Sequence, residues 1–176
     1  MANKVITFGL NEKDIDKAIH ELQKYKYEFQ KRVDTYRKRI ADEIAVNASI
    51  RFGNAVMDDR VRGGYRKPDV DVRVDDIGNI SIVVADGEDA VWCEFGAGVY
   101  HNGLGSVGSS PNPYGKDLGF AIGTYGKGHG KQTAWGYYDN GELVITRGTF
   151  ASMPMYFATQ EVTRKAIEIA KEVFGA

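Results

Sequence analysis

Cysteine is nearly absent. Cys93 is the single thiol in 176 residues, so an internal disulfide and a cysteine-built zinc module are both excluded. Proline is scarce too: the four are Pro68, Pro111, Pro113 and Pro154, and none interrupts the first third of the chain. No apolar run approaches the roughly 18 residues of a membrane span. An excess of one charge is also missing. Lys and Arg total 23 against 24 Asp and Glu, and a net charge of −1 argues against bulk-charge binding of nucleic acid or an anionic membrane. The opening Met1-Ala2-Asn3-Lys4 shows no apolar signal region, so the expected setting is a reducing cytoplasm.

Glycine, by contrast, is abundant. Fourteen of the 21 glycines lie between Gly96 and Gly148, where an average chain has about 7% glycine throughout. They divide one domain, 1–176, into a charged N-terminal part, a glycine-rich middle and a short C-terminal part. Residues 3–8 alternate loosely and suggest a short strand. Asn11 then reads as a helix N-cap, with Asp14 three residues on and Leu10 placed to pack on Ile15. Ile15, Ile19, Leu22, Tyr25, Phe29, Val33, Tyr36, Ile40, Ile44 and Ala48 follow in steps of three and four. The spacing predicts a helix over 11–51, on the order of 60 Å long, which must bend or project from a domain of this size.

Val70, Val72 and Val74 alternate with charged residues, Asp76–Asn79 reads as a turn, and Ile80, Ile82 and Val84 return, giving a hairpin over 70–85. Residues 90–96 are apolar and end in glycine. From 98 to 134 periodicity disappears, which points to a flexible functional arm. A second hairpin over 135–146 turns at Asp139-Asn140-Gly141. Ser152 or Met153 then starts a helix over 153–174, with Pro154 in its first turn and Ala158, Val162, Ala166, Ile169 and Val173 on one face. The expected fold is α+β, a small antiparallel sheet of two hairpins packed by the long N-terminal helix and the C-terminal helix.

Catalytic chemistry finds little material. The Gly-Lys pairs at 126–131 lack P-loop spacing, and Gln132 stands where the Ser or Thr belongs. Glu94, His101 and His129 form a conceivable two-His, one-carboxylate set for a metal hydrolase, but no tight His spacing supports it. Cys93 lies in an apolar run and reads as a packing residue, and no Gly-x-Ser-x-Gly elbow occurs. The expectation is a protein that is not an enzyme and needs no cofactor and no metal.

Binding chemistry is better supplied. Tyr100, Tyr114, Phe120 and Tyr125 interleave with Lys127 and Lys131 in the glycine-rich middle. They suit either anchors that order on a protein partner or a platform for stacked bases. Between Lys24 and Arg39, seven basic residues, Lys31 and Arg32 among them, face only Glu28 and Asp34. That stretch reads as a solvated face or as a docking face for an acidic partner.

At Glu94-Phe95-Gly96-Ala97-Gly98 the chain resembles the tail-component, or tail-completion, family of long-tailed bacteriophages. The resemblance rests on an ordered set: the helix Asn11–Phe52, the hairpin Val70–Val84, the segment Trp92–Gly98, the aromatic hairpin Trp135–Ile145 and the step Ala151-Ser152-Met153-Pro154-Met155-Tyr156-Phe157. Met155 stands where the family usually carries Phe. The resemblance implies a structural virion protein of the phage or prophage neck, without catalysis. It would assemble as a homo-oligomeric ring between connector or head-completion proteins and tail-terminator or tail-tube proteins, after a period in the host cytoplasm. Glu94, Phe95, Gly96, Gly98 and Pro154 would be its structural motif. Alternatives are a tail terminator or other minor tail or capsid protein, and, from another class, a small nucleic-acid-binding module.

Overall fold

The computed structural model describes residues 5–59, 64–98, 112–115, 117–118, 135–146 and 148–175. In chain order they form α1 (Glu12–Asn54), β1 (Met57–Asp59), β2 (Gly64–Arg66), β3 (Asp71–Ile77), β4 (Ile80–Asp86), α2 (Ala90–Phe95), β5 (Ala97–Gly98), β6 (Trp135–Asp139), β7 (Glu142–Thr146), β8 (Gly148–Thr149) and α3 (Pro154–Phe174). The class is α+β. The antiparallel pairs are β1–β2, β3–β4, β5–β8 and β6–β7, and among the described residues no ladder joins one hairpin to the other. The expected two-hairpin sheet is thus built as separate two-stranded ladders, of which β3–β4 packs along α1.

α1 starts as its sequence dictates. The Asn11 side chain accepts from the Asp14 backbone N–H at 3.0 Å and donates back to the Asp14 carboxylate at 2.7 Å. The staple does not form, because Leu10 is 95% exposed. Of the strand expected over 3–8, residues 3–4 lie outside the described residues, and residues 5–8 pair with no strand among those described. They line a shallow cleft with Asp14, Lys17, Ala18 and Glu21, and Ala18 is buried there. The helix runs past Gly53 to Asn54, where the Ala55 N–H closes the last turn on the Arg51 and Phe52 carbonyls.

The core sits at the C-terminal end of α1. Phe52, Ala55, Met57, Ala90 and Cys93 form its centre, with Val70, Val72, Ala85, Trp92 and Met155 packed around them. α3 lies antiparallel along the same half of α1. Arg51 meets Glu161 at 3.0 Å, Arg39 meets Glu172 at 2.6 Å, and Arg32 donates to the Phe174 carbonyl at 3.1 Å. The tip of the β3–β4 hairpin is fixed by Arg37, which donates to Asp76 at 3.1 Å and to Ser81 at 2.6 Å. Gly78 makes that turn at φ 60°, and Asn140 and Gly141 turn β6 into β7 at φ 50° and 87°.

α3 has 21 residues and α1 has 43, so α3 can flank only about half of α1 at 1.5 Å rise per residue. Its end reaches Phe29 and Tyr36 through Phe174, at ring-centroid distances of 5.9 and 6.1 Å. Beyond that point the apolar stripe of α1 lies open. Ile15, Ile19, Leu22, Tyr25, Phe29 and Val33 are each 38–55% exposed. In the covered half, buried Ala41, Ala45, Ala48 and Phe52 mark the core-facing side, while Tyr36, Ile40 and Ile44 are half-buried.

Candidate functional site

Two of the segments that carry the family resemblance, Trp92–Gly98 and Ala151–Phe157, meet at the junction of α2 with the start of α3. Met153, the residue before α3, is left-handed at φ 50° and offers no side-chain cap. Pro154 follows at the first helical position and is fully buried. The first free N–H groups of α3 therefore need an acceptor from elsewhere. Glu94 provides it. Its Oε2 accepts from the Met155 N–H at 2.8 Å, and its Oε1 accepts from the Tyr156 N–H at 3.0 Å. A carboxylate is well placed there, at the positive end of a 21-residue helix.

Asn112 completes the arrangement. It is 2% exposed and donates from Nδ2 to Glu94 Oε1 at 2.8 Å. Its Oδ1 accepts from the Tyr114 N–H and its carbonyl from the Gly115 N–H, so the short turn 112–115 is seated on the core. The glycine-rich middle is thus not one uninterrupted arm from 98 to 134, because it touches the scaffold at Asn112. Tyr114 is 62% exposed and leans its ring edge-on to Tyr156. Burial pushes the Glu94 carboxyl above its usual range, and the N–H groups of Met155 and Tyr156 and the Asn112 amide only partly counter it.

The neighbouring residues lock the same joint. The Cys93 carbonyl accepts from the Ser152 and Met153 N–H groups at 2.9 and 3.2 Å. Burial raises the Cys93 thiol to about 12, which leaves it without nucleophilic character. Phe95 is half-buried and lines a cleft of about 390 Å³ with Phe52, Ala85, Val91, Met155 and Tyr156. Gly96 turns the chain at φ 79°, and Ala97 and Gly98 then pair with Thr149 and Gly148. At the other end of α2, Asp89 receives the Arg66 guanidinium at 2.5 and 2.7 Å and the Asp69 N–H at 2.8 Å. Burial disfavours the Asp89 charge, but Arg66 and the Asp69 N–H outweigh it and hold the carboxyl below its ordinary value.

The other candidate residues are placed as follows. Tyr100, Phe120, Tyr125, Lys127 and Lys131, together with His101, His129 and the Gly-Lys pairs, lie outside the described residues. Lys31 is exposed on α1. Arg32 is engaged by the end of α3, while Arg37 and Lys38 bond to Asp76 and Arg39 to Glu43 and Glu172. Much of the basic stretch is therefore a clamp within the chain, which weakens its reading as a docking face for an acidic partner. In the metal-hydrolase alternative Glu94 would be a ligand; here it caps a helix. Among the described residues no three His, Cys, Asp or Glu side chains gather into a metal-binding group, and no helix is long and apolar enough to cross a membrane.

Sequence reasoning singled out Glu94 but not its role as the acceptor for α3, and it did not single out Asn112. A lone carboxylate inside the apolar run Val91-Trp92-Cys93-Glu94-Phe95 signals a buried acceptor that requires donors. Asn112 has no comparable signal, because an Asn between two prolines reads simply as loop. No protein-family model, no curated protein and no solved structure matches the chain.

Proposed function

We propose that this chain is a structural subunit of a phage or prophage neck, a tail-completion protein that joins the head connector to the tail by assembling in a ring. The observation that carries the reading is the pairing of Ala97-Gly98 with Gly148-Thr149, directly beside the Glu94 cap on α3. The chain leaves β5 at Gly98 beside the point where it returns at Gly148, so the two ends of the intervening stretch are held side by side. The Glu-Phe-Gly segment and the Pro154 step, far apart in sequence, are the two sides of that point. Such an anchor suits an element held out to a partner, with Tyr100, Phe120, Tyr125, Lys127 and Lys131 on it. The Cys93 thiol is inert and the Glu94 oxygens are taken up by N–H donors, which favours assembly over catalysis.

The test is a deletion that spares the Asn112 anchor. Removing residues 119–134 spares Asn112 and every residue that hydrogen-bonds to Glu94 or to the Cys93 carbonyl among the described residues. In cells producing particles from the parent genome, the expected result is a folded protein with filled heads and free tails accumulating separately. Normal yields of joined particles from the deleted chain contradict the reading. Assembly arrested at tail-length control instead favours the tail-terminator alternative.

A further inference from the structure

The open half of α1 carries more than scattered apolar residues. Ile15, Leu22, Phe29 and Tyr36 recur every seven residues, and Ile19, Lys26, Val33 and Ile40 do the same four residues after them. This is the alternating three-four spacing of a two-helix seam, with Lys26 as its single polar member. From Ile15 to Lys26 nothing among the described residues covers that seam: the segment 5–9 lies beside Ala18, off the seam, and α3 reaches only as far as Phe29, through the Phe174 ring. We propose that in the free protein this seam is covered by the same seam of a second copy, lying antiparallel to it.

Charge selects the occupant and its direction. Residues 12–22 carry Glu12, Asp14, Asp16 and Glu21 against Lys13 and Lys17. Residues 23–33 carry Lys24, Lys26, Lys31 and Arg32 against Glu28. An antiparallel pair centred near residue 24 lays the acidic third of each helix along the basic third of the other, and the two helix dipoles oppose. A parallel pair sets like charge on like. The same centring stacks Ile15 on Val33 and Ile19 on Phe29 of the second copy. Lys26 then lies over Leu22, with its stem on the apolar surface and its ammonium in water. Covering both stripes removes on the order of 1,000 Å² from water, the lower edge of what a specific interface buries. The pair therefore forms and dissociates in an accessible concentration range.

A twofold pair closes after two copies. It is a state of the free chain, separate from the proposed ring, so the two readings fail separately. A dimer that joins no heads to tails sinks only the neck reading. A monomer that does join them sinks only the pairing.

The experiment is light scattering on the full chain across a dilution series, with Leu22→Lys as the variant, which sets like charge against Lys26 of the second copy. Leu22 is 55% exposed, so the variant keeps its fold, which circular dichroism checks. The expected result is twice the chain mass at high concentration, falling to one on dilution, and a Leu22→Lys chain that stays monomeric throughout. A wild-type monomer at every concentration overturns the proposal, and so does a larger ring or a dimer indifferent to Leu22→Lys. Direction is read by oxidative cross-linking, with Cys93 buried and out of reach. Asp16→Cys mixed with Gln30→Cys should cross-link while neither does alone. Cross-linking of each variant with itself instead overturns the antiparallel arrangement.

Discussion

The two halves of α1 share one helix and one apolar periodicity, yet they meet different surroundings. From Tyr36 to Phe52 the apolar side lies under α3, the β3–β4 hairpin and α2, and Phe52 and Ala48 are buried. From Ile15 to Val33 the same spacing stays in the open. Helical periodicity therefore reports that a face wants to be covered, not that this chain covers it.

The largest test of that contrast is truncation on either side of the boundary. Phe52→Ala removes the largest side chain of the core centre and is expected to cost about 3–5 kcal/mol in urea unfolding. Next comes Glu94→Ala. It strips the acceptor from the Met155 and Tyr156 N–H groups and from Asn112, and about 2–3 kcal/mol should be lost. If Glu94→Ala is silent, the joint does not hold α3 on the covered half. Arg66→Ala leaves the Asp89 carboxylate buried without its ion partner. Because the Arg66 side chain is 39% exposed, about 2 kcal/mol is expected, less than for a fully buried pair.

The pH dependence separates the two carboxylates. Glu94 titrates above its ordinary 4.5 in the folded chain, so its contribution is present below that value and is lost as pH rises through the shifted one. Asp89 titrates below its ordinary 3.8, so its contribution is present above that value and is lost as pH falls through the shifted one. Glu94→Gln should therefore flatten the decline in stability above pH 4.5, and Asp89→Asn the loss below pH 3.8, in thermal melts across pH. The smallest effect belongs to the open half. Leu22→Ala should change unfolding of the dilute monomer by no more than about 0.5 kcal/mol, since Leu22 is more than half exposed.

Local chemistry was legible where a few adjacent residues decide the outcome. The Asn11 cap, the Gly78 and Asn140-Gly141 turns, Pro154 at the start of α3 and Gly175 at its end all follow from steric and hydrogen-bonding rules within a turn. What escaped depends on distant partners. Leu10 had a helix residue to pack on but is left in solvent, and the alternation read in residues 3–8 finds no second strand to join among the described residues. Arg32, Arg37 and Arg39 looked like a free basic face, because their partners at Phe174, Asp76 and Glu172 lie far along the chain. The Glu-Phe-Gly segment was singled out in the sequence, but its chemistry as the acceptor for α3 appears only when α2 and α3 meet.

Amide hydrogen exchange along α1, read at two protein concentrations, puts the two halves side by side in one measurement. Amides from 36 to 52 should be protected to the same extent at both concentrations, because their cover belongs to the chain itself. Those from 15 to 30 should be protected at high concentration and exchange freely on dilution, as the second copy leaves. Equal, concentration-independent protection of both halves would contradict the claim that the far half of α1 is an interface.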